Sequence, residues 1–470
     1  MKIDELKKLA IEKKSEYIDL KFCDLPGMWH HITVPISALT PDLFKSGVGV
    51  DGSSLPGFSS IEKGDMIMLP DASSVFIDPF FESPTLSFLG NMMLSSDKVL
   101  PYSRDPRRVV SYAQKFLDKK LKGVKAILGP EFEFYIFDKV NFFQGPESAF
   151  YYLDSAEAEW NAAEDEESLG YKIPYKKGYH VSPPMDRTYN LRSQISSLLA
   201  NVGIGLKYHH HEVGGGGQHE IEVKFAPMME MADKSMMVKY IVKNHCFRNG
   251  KSATFMPKPL FNEPGSGLHV HLFLADSKGS LFFDKKGPAS FSKLGLNFIG
   301  GLLAHADSLL AFTNPSTNSF KRLVPGFEAP VAGTYSVGNR TACIRIPGYQ
   351  RDPKMMRFEF RPPDGTMNPY LAYSAILMAG LDGIDKEIDP GLPLDKNLDT
   401  IPKEEFDLIH QLPTSLNKAL NALENDYKYL LDGDVFTEDL VETWVKLKRE
   451  EVTKIRVRPT PFEFEMYYNT

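Results

Sequence analysis

Residues 129–137, GPEFEFYIF, alternate acid and apolar with a period of two. That period is a β-strand's, with Glu131, Glu133 and Tyr135 on one face and Phe132, Phe134 and Ile136 on the other. The two carboxylates would stand roughly 7 Å apart, two residue rises. Taking each from water costs several kcal/mol unless a cation meets it. The stretch therefore allows two readings: an acid face in water, or a cation site on a buried sheet.

The pattern recurs in four more segments. GQHEIEVKF puts Glu220, Glu222 and Lys224 on one face and Ile221, Val223 and Phe225 on the other. KYHHHEV supplies His209, His210, His211 and Glu212 across a glycine turn. GLHVHLFL sets His269 and His271 against Leu268, Val270 and Leu272, and RFEFR sets Arg357, Glu359 and Arg361 before Phe358 and Phe360. One such strand is ordinarily a solvated face, and a lone strand histidine is ordinarily structural. Five with the same front of Glu, His and Arg point to a shared ligand surface, because a solvent face mixes in Lys, Thr, Ser and Asp. Carboxylates with one imidazole suit Mg²⁺ or Mn²⁺ better than zinc. Two such ions about 3.5–4 Å apart are a device for phosphoryl transfer, and glutamates two apart can serve one each.

Arginine forms a second constellation: Arg322, Arg340, Arg345, Arg357 and Arg361. Its fork of donors fits carboxylate or phosphate. Metals with clustered arginines imply a polyanionic substrate, although each arginine taken alone could simply pair with a neighbouring acid. The Pro-Gly context around Arg322 and Glu328 predicts a loop able to close over a site.

The 470 residues suggest two to three domains, and 42% hydrophobic with 24% charged is globular usage. A net charge of −7 without a long basic run argues against nucleic acid as the main partner. Cys23, Cys246 and Cys343 lack ligand or redox spacing, which fits a reducing compartment. No apolar run reaches spanning length and the N-terminal segment has no apolar signal core, so a soluble cytoplasmic protein without a membrane partner is expected.

YIDLKFCDLPGMWHHITVPI predicts a hairpin around a Pro-Gly turn, and PYSRDPRRVV opens a helix that runs to about residue 122. The domain boundary is placed near residue 103. Beyond it, strand patterns at 124–137, 202–213, 218–225, 268–274 and 356–361 alternate with helical ones at about 186–201, 230–250, 290–312 and 369–383. That is a mixed α+β domain. Residues 145–180, rich in acids and aromatics without a period, predict a surface excursion. The glycines of HEVGGGGQHEIEV lie between strand patterns, which favours a hairpin turn over a phosphate loop.

Taken in order, DGSS (51–54), GPEFEF, HHHEV…GQHEIEVKF, KSATFMPKP, GSGLHVH, NPSTNSFKRLVPGFEAP, NRTACIRIP and RFEFRPPD resemble the bacterial type I glutamine synthetases over essentially the whole chain. The resemblance implies a small N-terminal β-grasp-like domain (1–103) and a large catalytic domain (104–470) with a curved antiparallel sheet flanked by helices, of glutamine synthetase/guanido kinase type. It implies ATP-dependent joining of ammonia to L-glutamate through γ-glutamyl phosphate, with two or more Mg²⁺ or Mn²⁺ ions. Glu133, Glu212 and Glu220 would hold one metal, and Glu131, His269 and Glu359 the other. Arg340 and Arg345 would steady the γ-phosphate, while Arg322, Arg361 and Gly265 hold glutamate. Asp51 from a neighbouring subunit would deprotonate ammonium beside Ser54, Tyr179 and Glu212. Glu328 would close the site as a flap. Phe225, His271, Arg345, Lys354 and Arg357 would hold the nucleotide. The assembly implied is a homododecamer of two stacked hexamers, tethered by the strand-like tail PFEFEMYYNT.

Three positions depart from the family pattern. Asp399, in DKNLDTIP, stands where the regulated branch has its adenylylated tyrosine, so no adenylylation is expected there. Pro264 replaces a glutamate-contacting asparagine, and Phe273 a small polar residue near the adenine. A sister ligase acting on alkylamines or polyamines would alter the ammonium pocket, whereas Asp51, Ser54 and Tyr179 are retained. A catalytically dead relative would lose metal ligands, and none is lost. A metal-dependent phosphatase would fit the acids and arginines but not the ammonium pocket.

Overall fold

The computed structural model describes residues 1–95, 99–161, 169–327, 329–396 and 400–470, so Glu328 and Asp399 lie outside the described residues. The first hundred residues form a seven-stranded sheet. Its strands are β1 (Tyr17–Cys23), β2 (Trp29–Pro35), β3 (Val48–Asp51), β4 (Asp65–Pro70), β5 (Phe76–Ile77), β6 (Thr85–Leu94) and β7 (Leu100–Pro101). The order is β2-β1-β6-β4-β3, with β5 and β7 on β6. The predicted hairpin is β1–β2, while β1 runs parallel to β6. This is a β-grasp arrangement.

A second, ten-stranded sheet carries the acids. It comprises β8 (Lys125–Phe137), β11 (Leu206–His211), β12 (Gln218–Val223), β13 (Ala226–Pro227), β14 (Ser252–Thr254), β15 (Leu268–Asp276), β16 (Gly279–Ser280), β17 (Tyr335–Val337), β18 (Ile344–Ile346) and β19 (Phe358–Phe360). Strands β9 (Lys139–Gln144) and β10 (Ala149–Asp154) form a separate hairpin. The main order is β11-β12-β8-β15-β19-β18-β17, antiparallel apart from the β17–β18 pair. The apolar face behaves as the alternation demands. Phe132, Phe134, Ile221, Val223, Val270, Leu272, Phe358 and Phe360 are all fully buried and join one core with the helices Met228–Arg248 and Pro369–Asp385. The four-glycine stretch links β11 to β12 as a hairpin turn.

Buried charge ties the two sheets' surroundings together. Arg107, at the start of the helix Pro106–Lys120, donates to Asp71 and Asn91 on one side and to Asp233 on the other, at 2.8–3.2 Å. Removing both acids would leave the buried Arg107 guanidinium without a counter-charge. No single described helix is long and apolar enough to cross a membrane; the bent pair Lys293–Ala304 and Ala306–Thr313 lies largely in the core.

Two expectations are corrected. The tail is not strand-like: Pro461–Tyr467 is a helix, started by Pro461 and by a Thr460–Glu463 capping box. Those start signals override the Phe-Glu alternation. Nor is 145–180 wholly a surface excursion. Its first part is the turn and second strand of the exposed β9–β10 hairpin, but Asp154, Glu157, Asn161 and Ile173 are buried, because the acids there meet buried donors.

Candidate active site

Cross-strand register assembles the site. Glu131 on β8 lies opposite Glu222 on β12 and His269 on β15, while Glu133 lies opposite Glu220. His210 on β11 extends that second row. His271 faces Glu359 on β19, and Arg345 on β18 faces Glu359 from the far side. Directly paired side chains are close neighbours, so three rows of acid, imidazole and guanidinium share one face.

Ligand atoms of Glu131, His269 and Glu359 lie within 4.8 Å of one another, and so do those of His210, Glu212 and Glu220. The first group is an anticipated set. In the second, His210 stands where Glu133 was anticipated. Glu133 instead accepts from the Gly267 N–H at 2.7 Å and from Gln218 Nε2 at 3.5 Å, and its other oxygen lies 3.8 Å from His269 Nδ1. His269 Nδ1 is 3.1 Å from Glu131 and 3.6 Å from Glu359, and His271 Nε2 is 2.7 Å from Glu131.

The charges show why a cation suits this face. Burial, with Glu133 and Glu220 beside it, pushes the Glu212 carboxyl up to about 8. Burial and the acids Glu131, Glu133 and Glu222 raise Glu220 well above the usual range. On the other row burial is outweighed: His271 and His269 hold Glu131 well below its usual value, and Arg361 holds Glu359 low. Glu359 is gripped by Arg345 Nε at 2.6 Å and by Arg361. The His210–Glu212–Glu220 row is thus a concentration of dry, mutually repelling acids. Its oxygen-rich donor set fits Mg²⁺ or Mn²⁺.

Arg322 is buried, and its guanidinium donates to the Pro362 carbonyl at 2.7 Å and reaches His269 Nε2 at 3.2 Å. Gly265 lets the adjoining loop approach, for a Cβ there would meet Arg322 Cγ and the Pro257 oxygen at 2.6 Å. Pro264 keeps a polar role through its carbonyl, which accepts from Tyr135 Oη at 2.7 Å. Half-exposed Tyr179 stacks on His180 at 4.0 Å. Burial and Glu212 raise its phenol, while Arg340 lowers it, so Tyr179, Glu212 and Arg340 share one space. Asp51 and Ser54 stand apart from this group on an exposed turn, bonded to each other at 2.9 Å. The hydroxyl and N–H of Ser53 hold Asp51 low.

A cavity of about 610 Å³ opens beside Glu131, lined by Ile127, Lys207, Lys224, Phe225, Phe273, Gln350, Asp352, Met355 and Arg357. Phe225 and Phe273 meet at 5.7 Å, and the Arg357 guanidinium lies 5.1 Å over Phe225. His271 touches this wall edge-on to Phe225 at 6.3 Å, whereas exposed Lys354 lies outside the lining. Flat aromatic walls with cations at the rim suit a base joined to phosphates. A larger cleft, about 820 Å³ between the helices Leu416–Asn425 and Glu438–Arg456, has none of the acid-row residues in its lining. Sequence reasoning named His210 without giving it a role, and passed over Gln218, Lys207 and the Lys207–Glu222 ion pair. His210 and Glu222 lay in the quoted strands, but only register gives them partners.

Fold and site together define a class: a two-domain enzyme that handles polyanions on an acid- and arginine-lined sheet face beside a base-sized cavity. The glutamine synthetase catalytic-domain family model matches residues 103–467, and its β-grasp-domain model residues 14–95. The chain is 46% identical over 473 residues to a glutamine synthetase of Mycobacterium tuberculosis, covering 99% of this chain and 98% of that one. It is 46% identical over 469 residues to one of Streptomyces coelicolor, covering 99% of each. A Plasmodium falciparum glutamine synthetase structure superposes with a TM-score of 0.90 at 28% identity, over 100% of this chain and 99% of that one. The chain belongs to the glutamine synthetase family and makes glutamine from glutamate and ammonia using ATP.

Proposed function

We propose that ammonia is ligated on the sheet face through a γ-glutamyl phosphate, with each residue placed as follows. The carrying observation is the convergence of Glu131, His269 and Glu359 with His210, Glu212 and Glu220 beside an aromatic cavity. Glu131, His269 and Glu359 hold one divalent ion; Glu133, Glu212 and Glu220 hold a second, with His210 as a neighbour. Mg²⁺ or Mn²⁺ bound there would neutralise the charge of the phosphates.

Phe225, Arg357, His271 and Lys354 bind the nucleotide, with Phe273 extending the base wall. Arg345 and Arg340 steady the phosphoryl group as it passes to the glutamate carboxylate, whose other end is held by Arg322, Arg361 and the Gly265 backbone. Glu328 closes the site and excludes water from the acyl phosphate. Tyr179, Glu212 and Ser54 cradle ammonium, and Asp51, ionised at neutral pH, takes its proton. Asp51 and Ser54 sit on the β-grasp domain's exposed turn. That this turn is exposed and, among the described residues, makes no contact with the other site residues supports their completing the site of a neighbouring subunit in a ring, for which the homododecamer of two stacked hexamers is proposed. The division into domains 1–103 and 104–470 is proposed on the same footing. At Asp399 we propose that adenylylation does not occur.

The test is phosphate release from ATP and Mg²⁺ with glutamate, comparing ammonium with alkylamines and polyamines. Release with ammonium, together with glutamine formation, is expected. Glu131→Ala should weaken nucleotide and metal binding, and Glu133→Ala should also raise the ammonium requirement. Release only with a larger amine, or full activity in both variants, would overturn the assignment.

A further inference from the structure

Behind the ends of β11 and β12, facing away from the acid rows, lies a second polar cluster. Glu157, Asp186, Thr188, Arg192, His211 and His219 are each less than a tenth exposed. Glu157, His211 and His219 bring ligand atoms within 4.8 Å, the donor set of a His₂-carboxylate metal centre. In this structure the cluster's hydrogen bonds are satisfied within the protein. Arg192 Nη1 lies 3.1 Å from His219 Nδ1, and a guanidinium can only donate, so Nδ1 accepts. The ring proton is then on Nε2, which donates to Thr188 Oγ1 at 3.2 Å. Arg192 is itself gripped by Asp186, so the donors and acceptors of this cluster pair with one another.

The hydrogen bonds lead instead toward the front of the sheet. Glu157 accepts the Arg187 N–H at 3.3 Å with one oxygen and meets His211 Nε2 at 3.0 Å with the other. His211 Nδ1 donates to the Glu212 carbonyl at 2.7 Å. The segment carrying Tyr179 is laced to the same strand end: the Gly178 N–H donates to the Val213 carbonyl at 2.9 Å, and the His180 N–H to the His211 carbonyl at 3.1 Å. The contact is close enough to require glycine, since a Cβ on Gly178 would fall 2.4 Å from the Glu212 oxygen and 2.6 Å from the His211 ring. Glu212 follows the last residue of β11, where the ladder gives way to the turn. Its direction therefore depends on what holds that peptide.

We propose that Glu157 and His211 are positioning residues for the ammonium end of the site. Glu157 fixes the His211 ring, the ring fixes the Glu212 peptide, and that peptide sets both the Glu212 carboxylate and the Tyr179 phenol on their shared space. The described residues 155–161 and 169–180 thereby act as a strap that couples the chain after the β9–β10 hairpin to ammonium capture. This rests on the reading of Glu212 and Tyr179 as ammonium-site residues.

The test is steady-state kinetics on the assembled full-length enzyme, with ammonium, glutamate and ATP each varied in turn. Partners that orient a metal-ligating residue, as Glu212 is read to be, are typically worth about ten- to a hundredfold in affinity or activity. Glu157→Ala should raise the KM for ammonium about tenfold, with the KM for ATP and glutamate within about twofold. Glu157→Gln, which keeps a hydrogen-bonding group at the same reach, should restore most of the loss. If the alanine variant does not assemble, Glu157→Asp must give the same selective rise at smaller amplitude. Tyr179→Ala must raise the ammonium KM too; if it does not, the underlying site reading fails and the strap with it. If Tyr179→Ala does so while Glu157→Ala affects all three substrates equally, or none, only the strap is refuted.

Discussion

Replacing Glu212 by glutamine should stabilise the metal-free protein while weakening its response to metal. In the fold this carboxyl is buried against Glu133 and Glu220 and is pushed from the ordinary 4.5 up to about 8. An acid whose folded pKa lies above its unfolded value destabilises the fold as it must either ionise in place or stay protonated. The penalty is absent below about pH 4.5, grows as pH rises toward 8, and is constant above that. Three and a half pH units at 1.36 kcal/mol each set a ceiling of about 5 kcal/mol near pH 8. Because the repulsion is shared among three acids, about 2 kcal/mol is the working expectation. Glutamine keeps an oxygen for the Val213 N–H, which Glu212 accepts at 2.6 Å, so the change removes charge and little else. Thermal melts in EDTA and in saturating Mg²⁺ across pH 5–9 read this directly. In EDTA near pH 8 the variant should melt a few degrees above the parent, and the gap should close toward pH 5. In Mg²⁺ the order should reverse, since an amide is the poorer ligand. A variant that melts below the parent by the same amount in both buffers would refute the electrostatic argument.

Two other perturbations test separate parts of the molecule. His305 lies between Asp426 at 2.8 Å and Asp382 at 2.9 Å, with Ser308, Tyr429 and, through Asp382, Lys386 around it. Burial works against its protonation, but the hydrogen bonds to Asp426 and Asp382 raise its pKa. Its stabilisation is therefore complete below the ordinary value of 6.5 and is lost as pH rises through the raised folded value. His305→Gln should flatten that part of the melt-versus-pH curve; an unchanged slope would contradict the sign. Phe225→Ala should weaken ADP binding about tenfold or more, as loss of base stacking typically does, measured by calorimetry. Unchanged affinity would remove the cavity from the nucleotide site.

The alternation in GPEFEFYIF, GQHEIEVKF, GLHVHLFL and RFEFR was enough to separate a ligand face from a core face. The period-two rule is local: each residue's face follows from its neighbours' backbone alone. Buried Phe132, Val270 and Phe358 follow it without exception. The tail shows the rule's limit, because its Phe-Glu alternation yields to a proline and a capping box and becomes the helix Pro461–Tyr467. Glu157 shows another limit: in sequence it is one acid among many in a stretch without a period, and only a buried histidine 54 positions away gives it a role.

The sequence by itself determined which residues carry ligand chemistry, which side of each strand they occupy, and the family to which the chain belongs. Tertiary structure alone decided who meets whom. Register sets Glu131 against His269 and Glu133 against Glu220, brings His210 to Glu212 and Glu220, and pairs Lys207 with Glu222. It also decided which acids repel and which are neutralised, so that Glu212 is raised while Glu359 is held low. The reason is physical: a side chain's face depends on torsions within a few residues, but its charge state depends on distances to groups far away in the chain, and those exist only once the strands have paired.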